Sequence, residues 1–263
     1  MTRVFTLLAH GLIAALFVQS PASSFAAATS ADGTESTFQK GLEAFDAAKT
    51  PADFLKSASL FQEVLDSGTV NGAVLYNQGN AFVRAGEYGR AIASYRQAQR
   101  YLPRDNRLAA NLEFAKEKAG LPHAEPSTWN RLCFWHGWLG YHEAFLAMGS
   151  FGTLAFALGI VPVIWPTRRF LERLALVSLT ACLILGIAAT TMWLDYDHWT
   201  HGVITAEEVT ARKGNGESYQ PAFKLPLTQG TEFTLVERRG DWLLVHLADG
   251  NDGWVKESAT TLY

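Results

Sequence analysis

Thiols are scarce in this chain: two cysteines in 263 residues. Cys182 lies in the middle of one apolar run and Cys133 ahead of another, so a disulfide would have to reach from an interface into a bilayer. Both read as structural thiols, because a cysteine nucleophile needs a partner base, and none can be placed beside a thiol in lipid. A basic excess is missing too, with 22 Lys and Arg against 25 Asp and Glu, which excludes a nucleic-acid-binding composition. No phosphate-cradling glycine loop, nucleophile elbow or metalloprotease motif occurs in the regions flanking the apolar runs. The chain reads as a non-enzyme, and no cofactor is expected.

Charge is absent altogether from two long stretches, Ala144 to Trp165 and Leu174 to Leu194. At about 1.5 Å of rise per residue, each crosses a hydrocarbon core of roughly 30 Å as a helix. With no charged group in either core, the spans have no transport chemistry to offer. Residues 166–173 join them and carry Arg168, Arg169 and Arg173, and a short loop of this kind stays on the cytoplasmic side. Everything else is then exterior. Trp129, Trp135, Trp138 and Tyr141 before the hairpin, with Trp193, Tyr196 and Trp199 after it, fit aromatic belts at the outer boundary.

Arg3, the apolar run Val4 to Val18, Pro21, Ser23, Ser24 and the small residues Ala26, Ala27 and Ala28 have the parts of a secretory signal over residues 1–28. Cleavage fits after Ala26 or Ala28, and an uncleaved anchor is the other reading. In both cases the next segment is exported.

Residues 35–120 are helical by pattern. From Asn71 the chain runs NGAVLYNQGNAFVRAGEYGRAIASYRQAQRYLP, where Gly79, Phe82, Gly86, Tyr88, Ala91, Tyr95, Ala98 and Pro103 occupy the small and large positions of a repeat of roughly 34 residues. Small Gly79 and Ala91 let two antiparallel helices approach, Phe82 and Tyr95 fill their seam, and Pro103 stops the second helix. The segment resembles a tetratricopeptide repeat, with Gln78 where that family usually has leucine. Phe38, Leu42, Phe45, Phe54, Leu55, Phe61, Val64 and Leu65, interrupted near Thr50 and Pro51, read as a degenerate repeat before it. Leu108, Leu112 and Ala115 give a capping helix after it. In such a stack the first helix of each pair lines a concave groove, whose polar positions here are Asn77, Asn80, Arg84, Arg107 and Asn111. These resemble part of the donor set that some tetratricopeptide domains use to hold a peptide carboxylate; solvated groove residues with no ligand are the other reading.

Residues 121–143 are a linker and an interfacial aromatic segment. His136 and His142 precede the hairpin, while Asp195, Asp197, His198 and His201 follow it on the same exterior side. With Cys133 they could bind a transition metal, but the spacing matches no closed site and interfacial polar residues suffice, so no metal ligand is assigned.

From residue 200 to 263 the pattern changes to period two, with Val203 to Arg212, Ala222 to Leu225, Glu232 to Glu237, Trp242 to Leu247 and Gly253 to Lys256 as expected strands of a small barrel. TAEEVTARKGN followed by LTQGTEFTLVERRGDWLLVHLADGNDGWV is similar to a bacterial SH3 domain. Tyr219, Trp242 and Trp254 are either an aromatic binding face or core. Asp249 to Asp252 read as a tight turn rather than a calcium loop.

The expected fold is therefore a multidomain α and β membrane protein: an α-helical tetratricopeptide-repeat stack, a two-helix transmembrane hairpin over residues 144–165 and 174–194, and a small SH3-like β-barrel. In this order the parts resemble the BatE proteins of the bacterial aerotolerance operon. The resemblance implies a bacterial inner-membrane component, both soluble parts in the periplasm, working with Bat-type von Willebrand A proteins and a MoxR-type ATPase in aerotolerance or envelope stress. The expected function is a non-enzymatic scaffold for protein partners. The alternative is a peptidoglycan receptor acting through the SH3-like domain. The topology has a direct test: a cysteine reporter at Thr200 should be labelled from the exterior of intact cells, and one at Thr167 should not.

Overall fold

The computed structural model describes residues 23–121, 139–164, 169–195 and 199–263. Within them lie seven α-helices and a mainly antiparallel β region. The first five are α1 (Ser23–Ala47), α2 (Pro51–Asp66), α3 (Gly72–Ala85), α4 (Tyr88–Tyr101) and α5 (Asn106–Lys118). Their ends are set by local chemistry. At α2, Thr50 Oγ1 accepts from the Asp53 N–H while Asp53 Oδ2 accepts from the Thr50 N–H, and Pro51 follows in the first turn. Asn71 caps α3 and Asp105 caps α5 through their side-chain oxygens. Gly86, at φ 85°, ends α3 in the left-handed conformation that glycine adopts without a Cβ clash.

The helices form two antiparallel pairs and a closing helix, each packed chiefly on its chain neighbours. The same contact recurs in both pairs. A Cβ on Gly79 would collide with the Tyr95 ring, and one on Gly41 would lie 2.7 Å from Phe61 Cε1. Four residues before each aromatic stands a small buried residue, Ala91 in one pair and Ser57 in the other, whose hydroxyl donates to the Gly41 carbonyl at 2.9 Å. Gln78 is a buried link: its Nε2 donates to Gln62 Oε1 at 2.8 Å and its Oε1 accepts from Ser94 Oγ at 3.0 Å, tying α2, α3 and α4 together. A polar side chain in the helical seam is thereby satisfied within it.

The two apolar helices are α6 (Tyr141–Ile164) and α7 (Arg169–Trp193), paired as a hairpin. Both are long and apolar enough to cross a membrane, with mean hydropathy 1.9 and 2.1, and only 6% and 17% of their apolar windows are buried by the rest of the protein. A core helix would be covered by protein instead. Between the helices, Ser178 Oγ donates to the Phe151 carbonyl at 2.8 Å, and Gly152 lets Cys182 approach. The bounds differ from the sequence reading chiefly at the N-terminal end of each helix. Glu143 caps the first turn by accepting from the Gly140 N–H, which starts α6 ahead of Ala144. Helix α7 begins at Arg169 rather than Leu174, since Arg, Leu and Glu are strong helix formers and Glu172 suits a first turn. The joint is accordingly shorter than residues 166–173, and Arg168 lies outside the described residues.

The β region comprises β1 (His201–Ile204), β2 (Glu208–Val209), β3 (Leu227–Thr228), β4 (Glu232–Arg239), β5 (Trp242–Leu247), β6 (Asp252–Lys256) and β7 (Thr260–Leu262). The main sheet has the order β6-β5-β4-β1-β7, with β2 and β3 a separate small pair. Three strand expectations need correction. The run Val203 to Arg212 breaks at Thr205 and Ala206, whose N–H groups both turn to the Ala259 carbonyl. Ala222 to Leu225 is not a strand: it lies between Pro221 and Pro226, which lack ladder donors, and the local pairing falls to Leu227–Thr228 instead. Strand β7 was not anticipated, being only three residues long.

The sheet lies against α4. Val203 joins the buried cluster of Ile92 and Leu108, and Gly89 allows so close an approach that an added Cβ would be 2.5 Å from the Ile204 carbonyl oxygen. Beside this contact, Arg96 donates to both oxygens of Glu232, at 2.8 and 2.9 Å, and Lys116 stands 3.6 Å from the same carboxylate. Burial works to raise the Glu232 pKa, but attraction and hydrogen bonding from Arg96, with Lys116, outweigh it and hold the carboxyl below its ordinary value. The Tyr263 phenol, packed against the same cluster with the Arg100 guanidinium over its ring, is pushed up by burial and by Glu232.

Two outcomes are expected. Gly79→Ala should lower stability by about 2 kcal/mol in thermal melts, because Tyr95 has no room to move. Glu232 has a folded pKa below its unfolded value, so its contribution is complete above the ordinary carboxylate range and is lost as pH falls through the folded value. Denaturation between pH 3 and 7 should therefore show a falling midpoint on acidification that Glu232→Gln flattens; parallel slopes for the two proteins would refute the assignment.

Candidate functional site

Helices α1, α3 and α5 touch as alternate members of the stack, so their outward residues share one face. On α3 the spacing of Tyr76, Asn80 and Arg84 is one helical turn each, which puts all three on that side. A cleft of about 390 Å³ opens there, lined by Phe45 of α1, Asn80, Val83 and Arg84 of α3, Tyr95 of α4, and Asn111 and Phe114 of α5.

A hydrogen-bond network orients its polar groups. Asn80 Oδ1 accepts from Tyr95 Oη at 2.8 Å and from Asn111 Nδ2 at 2.9 Å, and Asn111 Nδ2 also donates to Tyr76 Oη at 3.1 Å. The carbonyl of Asn80 is thus engaged, leaving its NH₂ to offer; both N–H groups of Asn111 are engaged, leaving its Oδ1. A donor and an acceptor side by side suit the C=O and N–H of a peptide group. A free carboxylate would ask for two donors. Arg84, exposed, rests its guanidinium 4.9 Å over the Phe54 ring and supplies a positive charge at the rim. Burial pushes the Tyr95 phenol well above its ordinary pKa, so it stays a hydrogen-bond donor to Asn80 at any neutral pH.

Of the five residues expected in the groove, Asn80, Arg84 and Asn111 meet in this cleft. Asn77 is half-buried on α3 and does not line it. Arg107 lies one turn before Asn111, mostly exposed, with its guanidinium 3.3 Å from Asp105, and lines a separate depression at the α4–α5 turn. Phe45, Tyr76 and Phe114 were not anticipated. Tyr76 precedes Asn80 by four positions and Phe114 follows Asn111 by three, so helical spacing alone would have added them; Phe45 depended on how the first pair packs.

Elsewhere, Trp254 is buried beneath Arg239, Trp242 is half-buried beneath Lys256, and Tyr219 is exposed against Gly214. Asp249 accepts from the Asn251 N–H in a tight turn. His201 bonds through Nε2 to the Asp195 carbonyl at 3.0 Å, whereas Cys133, His136, Asp197 and His198 lie outside the described residues. Among the described residues no group of three or more His, Cys, Asp or Glu side chains is placed to hold a metal. Compared with protein-family models, curated proteins and solved structures, the chain matches none.

Proposed function

We propose that this chain is a non-enzymatic, membrane-anchored interaction protein whose alternate-helix cleft takes an extended segment of a partner protein. The reading rests on one observation: the β region packs on α4 and leaves the face of α1, α3 and α5 open, with a donor, an acceptor and a guanidinium between aromatic walls. In this proposal the helical block is a short tetratricopeptide-type stack, the β region is SH3-like, and α6 and α7 cross the bacterial inner membrane with both other parts in the periplasm. The resemblance to BatE proteins favours a partner of the Bat type in an aerotolerance or envelope-stress complex. The segment bound would offer its main chain to Asn80 and Asn111, apolar side chains to Phe45 and Phe114, and an acidic group to Arg84.

A photocrosslinking residue at Val83 tests this in native membranes. One dominant adduct is expected, and Arg84→Ala should reduce its yield about tenfold, as loss of a charged hydrogen bond of roughly 1.5 kcal/mol does. Adducts obtained from Tyr219 and not from Val83, or retention on isolated cell-wall sacculi that depends on the β region, would favour the peptidoglycan alternative and overturn the cleft assignment.

A further inference from the structure

The two edges of the main sheet are not alike. The outer edge of β6 is covered: Arg212 and Trp254 exchange N–H to carbonyl bonds at 2.8 Å in both directions. The outer edge of β7 is open. His201 and Tyr263 exchange main-chain bonds across β1 and β7, as a hydrogen-bonded pair does, and Gly202 faces Leu262 in the next register position. In an antiparallel ladder such pairs alternate, so the Leu262 N–H and carbonyl point away from β1. Among the described residues they have no partner within the sheet.

This edge does not open onto flat surface. It forms one wall of a cleft of about 570 Å³ whose floor and far wall come from α2, α3 and α4, among them Leu65, Phe82, Ala93 and Gln97. The direction of the strands along the cleft is fixed by contacts. Ile204, which pairs with Thr260, lies over Gly89 at the start of α4, and Tyr263 lies under Arg100 near its end. The start of α3 meets the end of α4, since Gly72 abuts Leu102, so the end of α2 that precedes it lies at the Tyr263 end as well. Asp66 therefore marks the Tyr263 end of the cleft and Arg90 the Thr260 end.

We infer that this cleft is a second, separate binding site, which takes an extended peptide of a partner protein as an added strand on β7. Main-chain groups at an open edge are complementary to another main chain. A cleft of about 570 Å³ with helices on its far side suits one extended chain rather than the sheet of a second folded copy. The charges select the direction: a strand antiparallel to β7 enters at Asp66 and leaves at Arg90, so a basic residue at its start and an acidic residue at its end are matched. Side chains on the peptide alternate, and those on the same side as Thr261 and Tyr263 fall on Leu65 and Phe82, which calls for apolar residues at every second position. The site lies across α4 from Glu232 and is independent of the alternate-helix cleft.

The probe is the fluorescein-labelled hexapeptide Lys-Val-Thr-Val-Thr-Glu, titrated by anisotropy against the full chain in detergent micelles. Saturable binding is expected, weakened about tenfold or more when the threonine amides, which stand on the Leu262 side and face β7, are N-methylated, as loss of main-chain hydrogen bonding requires. The charge-reversed peptide Glu-Val-Thr-Val-Thr-Lys should bind more weakly, and the order should invert in the double variant Asp66→Lys, Arg90→Glu. Leu262→Pro removes the outward N–H together with a side chain that packs on the core of the β region, so it is compared with Leu262→Ala, which keeps the N–H; only the proline variant should weaken the parent peptide to the level of its N-methylated form. Absence of binding, equal binding of the N-methylated peptide, or binding lost in Val83→Glu and not in Leu262→Pro would each overturn the proposal.

Discussion

The structure depends on how the β region lies on α4. One side of that helix belongs to the helical stack, where Tyr95 fills the space left by Gly79, and the other receives β1 and β7. Apolar contact through Val203 and Ile92 supplies attraction without direction. Direction comes from Glu232. Its carboxylate is desolvated at the contact, which is costly, and only Arg96 in bidentate geometry with Lys116 alongside offsets that cost. A docking shifted by one helical turn would leave a carboxylate and a guanidinium both part-buried and unpaired. The ion cluster thus acts as a register device, and the register decides which faces stay open.

The hairpin obeys a different constraint. Its outer residues, such as Leu146, Phe156, Leu176 and Ile187, are exposed over most of its length, an arrangement stable only if something other than water covers them. Its links to the rest are modest. Arg104 reaches Glu143 at 2.6 Å, but both side chains are about half exposed and a surface pair of this kind contributes little. The chain continues from α7 into β1 through Trp199, whose N–H donates to the Leu194 carbonyl, and His201 folds back to the Asp195 carbonyl. Short connections, more than strong contacts, hold the β region near the hairpin.

The second helical pair was legible in the sequence, and the first was only half so, for a geometric reason. Gly79 and Ala91 are twelve positions apart, whereas the equivalent Gly41 and Ser57 are sixteen apart, one extra residue lying in the turn at Ala48 to Thr50 and three in an added first turn of α2. Four extra residues break an alignment that depends on spacing while leaving the contact intact, since Phe61 meets Gly41 as Tyr95 meets Gly79. The cleft shows the same division. Asn80, Arg84 and Asn111 could be assigned from helical periodicity, because it reports which side of one helix a residue occupies. Asn77 and Arg107 fall outside the cleft, because periodicity does not report where a neighbouring helix ends or which acid, here Asp105, lies within reach.

Sequence alone determined the properties that follow from a few consecutive residues: two uncharged runs of membrane length, the capping residues Thr50, Asn71 and Asp105, the close helix approach at Gly79, and the alternation of the longer strands. Each is a local preference, and neighbours in the chain are enough to express it. Tertiary structure decided what required complementarity between distant segments: the pairing of Glu232 with Arg96, the satisfaction of Gln78 by Gln62 and Ser94, and the orientation of the Asn80 and Asn111 amides. It also decided that one sheet edge is closed by Arg212 and the other left open beside α4. A three-residue strand such as β7 has too little pattern of its own to be read; it exists because β1 and α4 are already there to receive it.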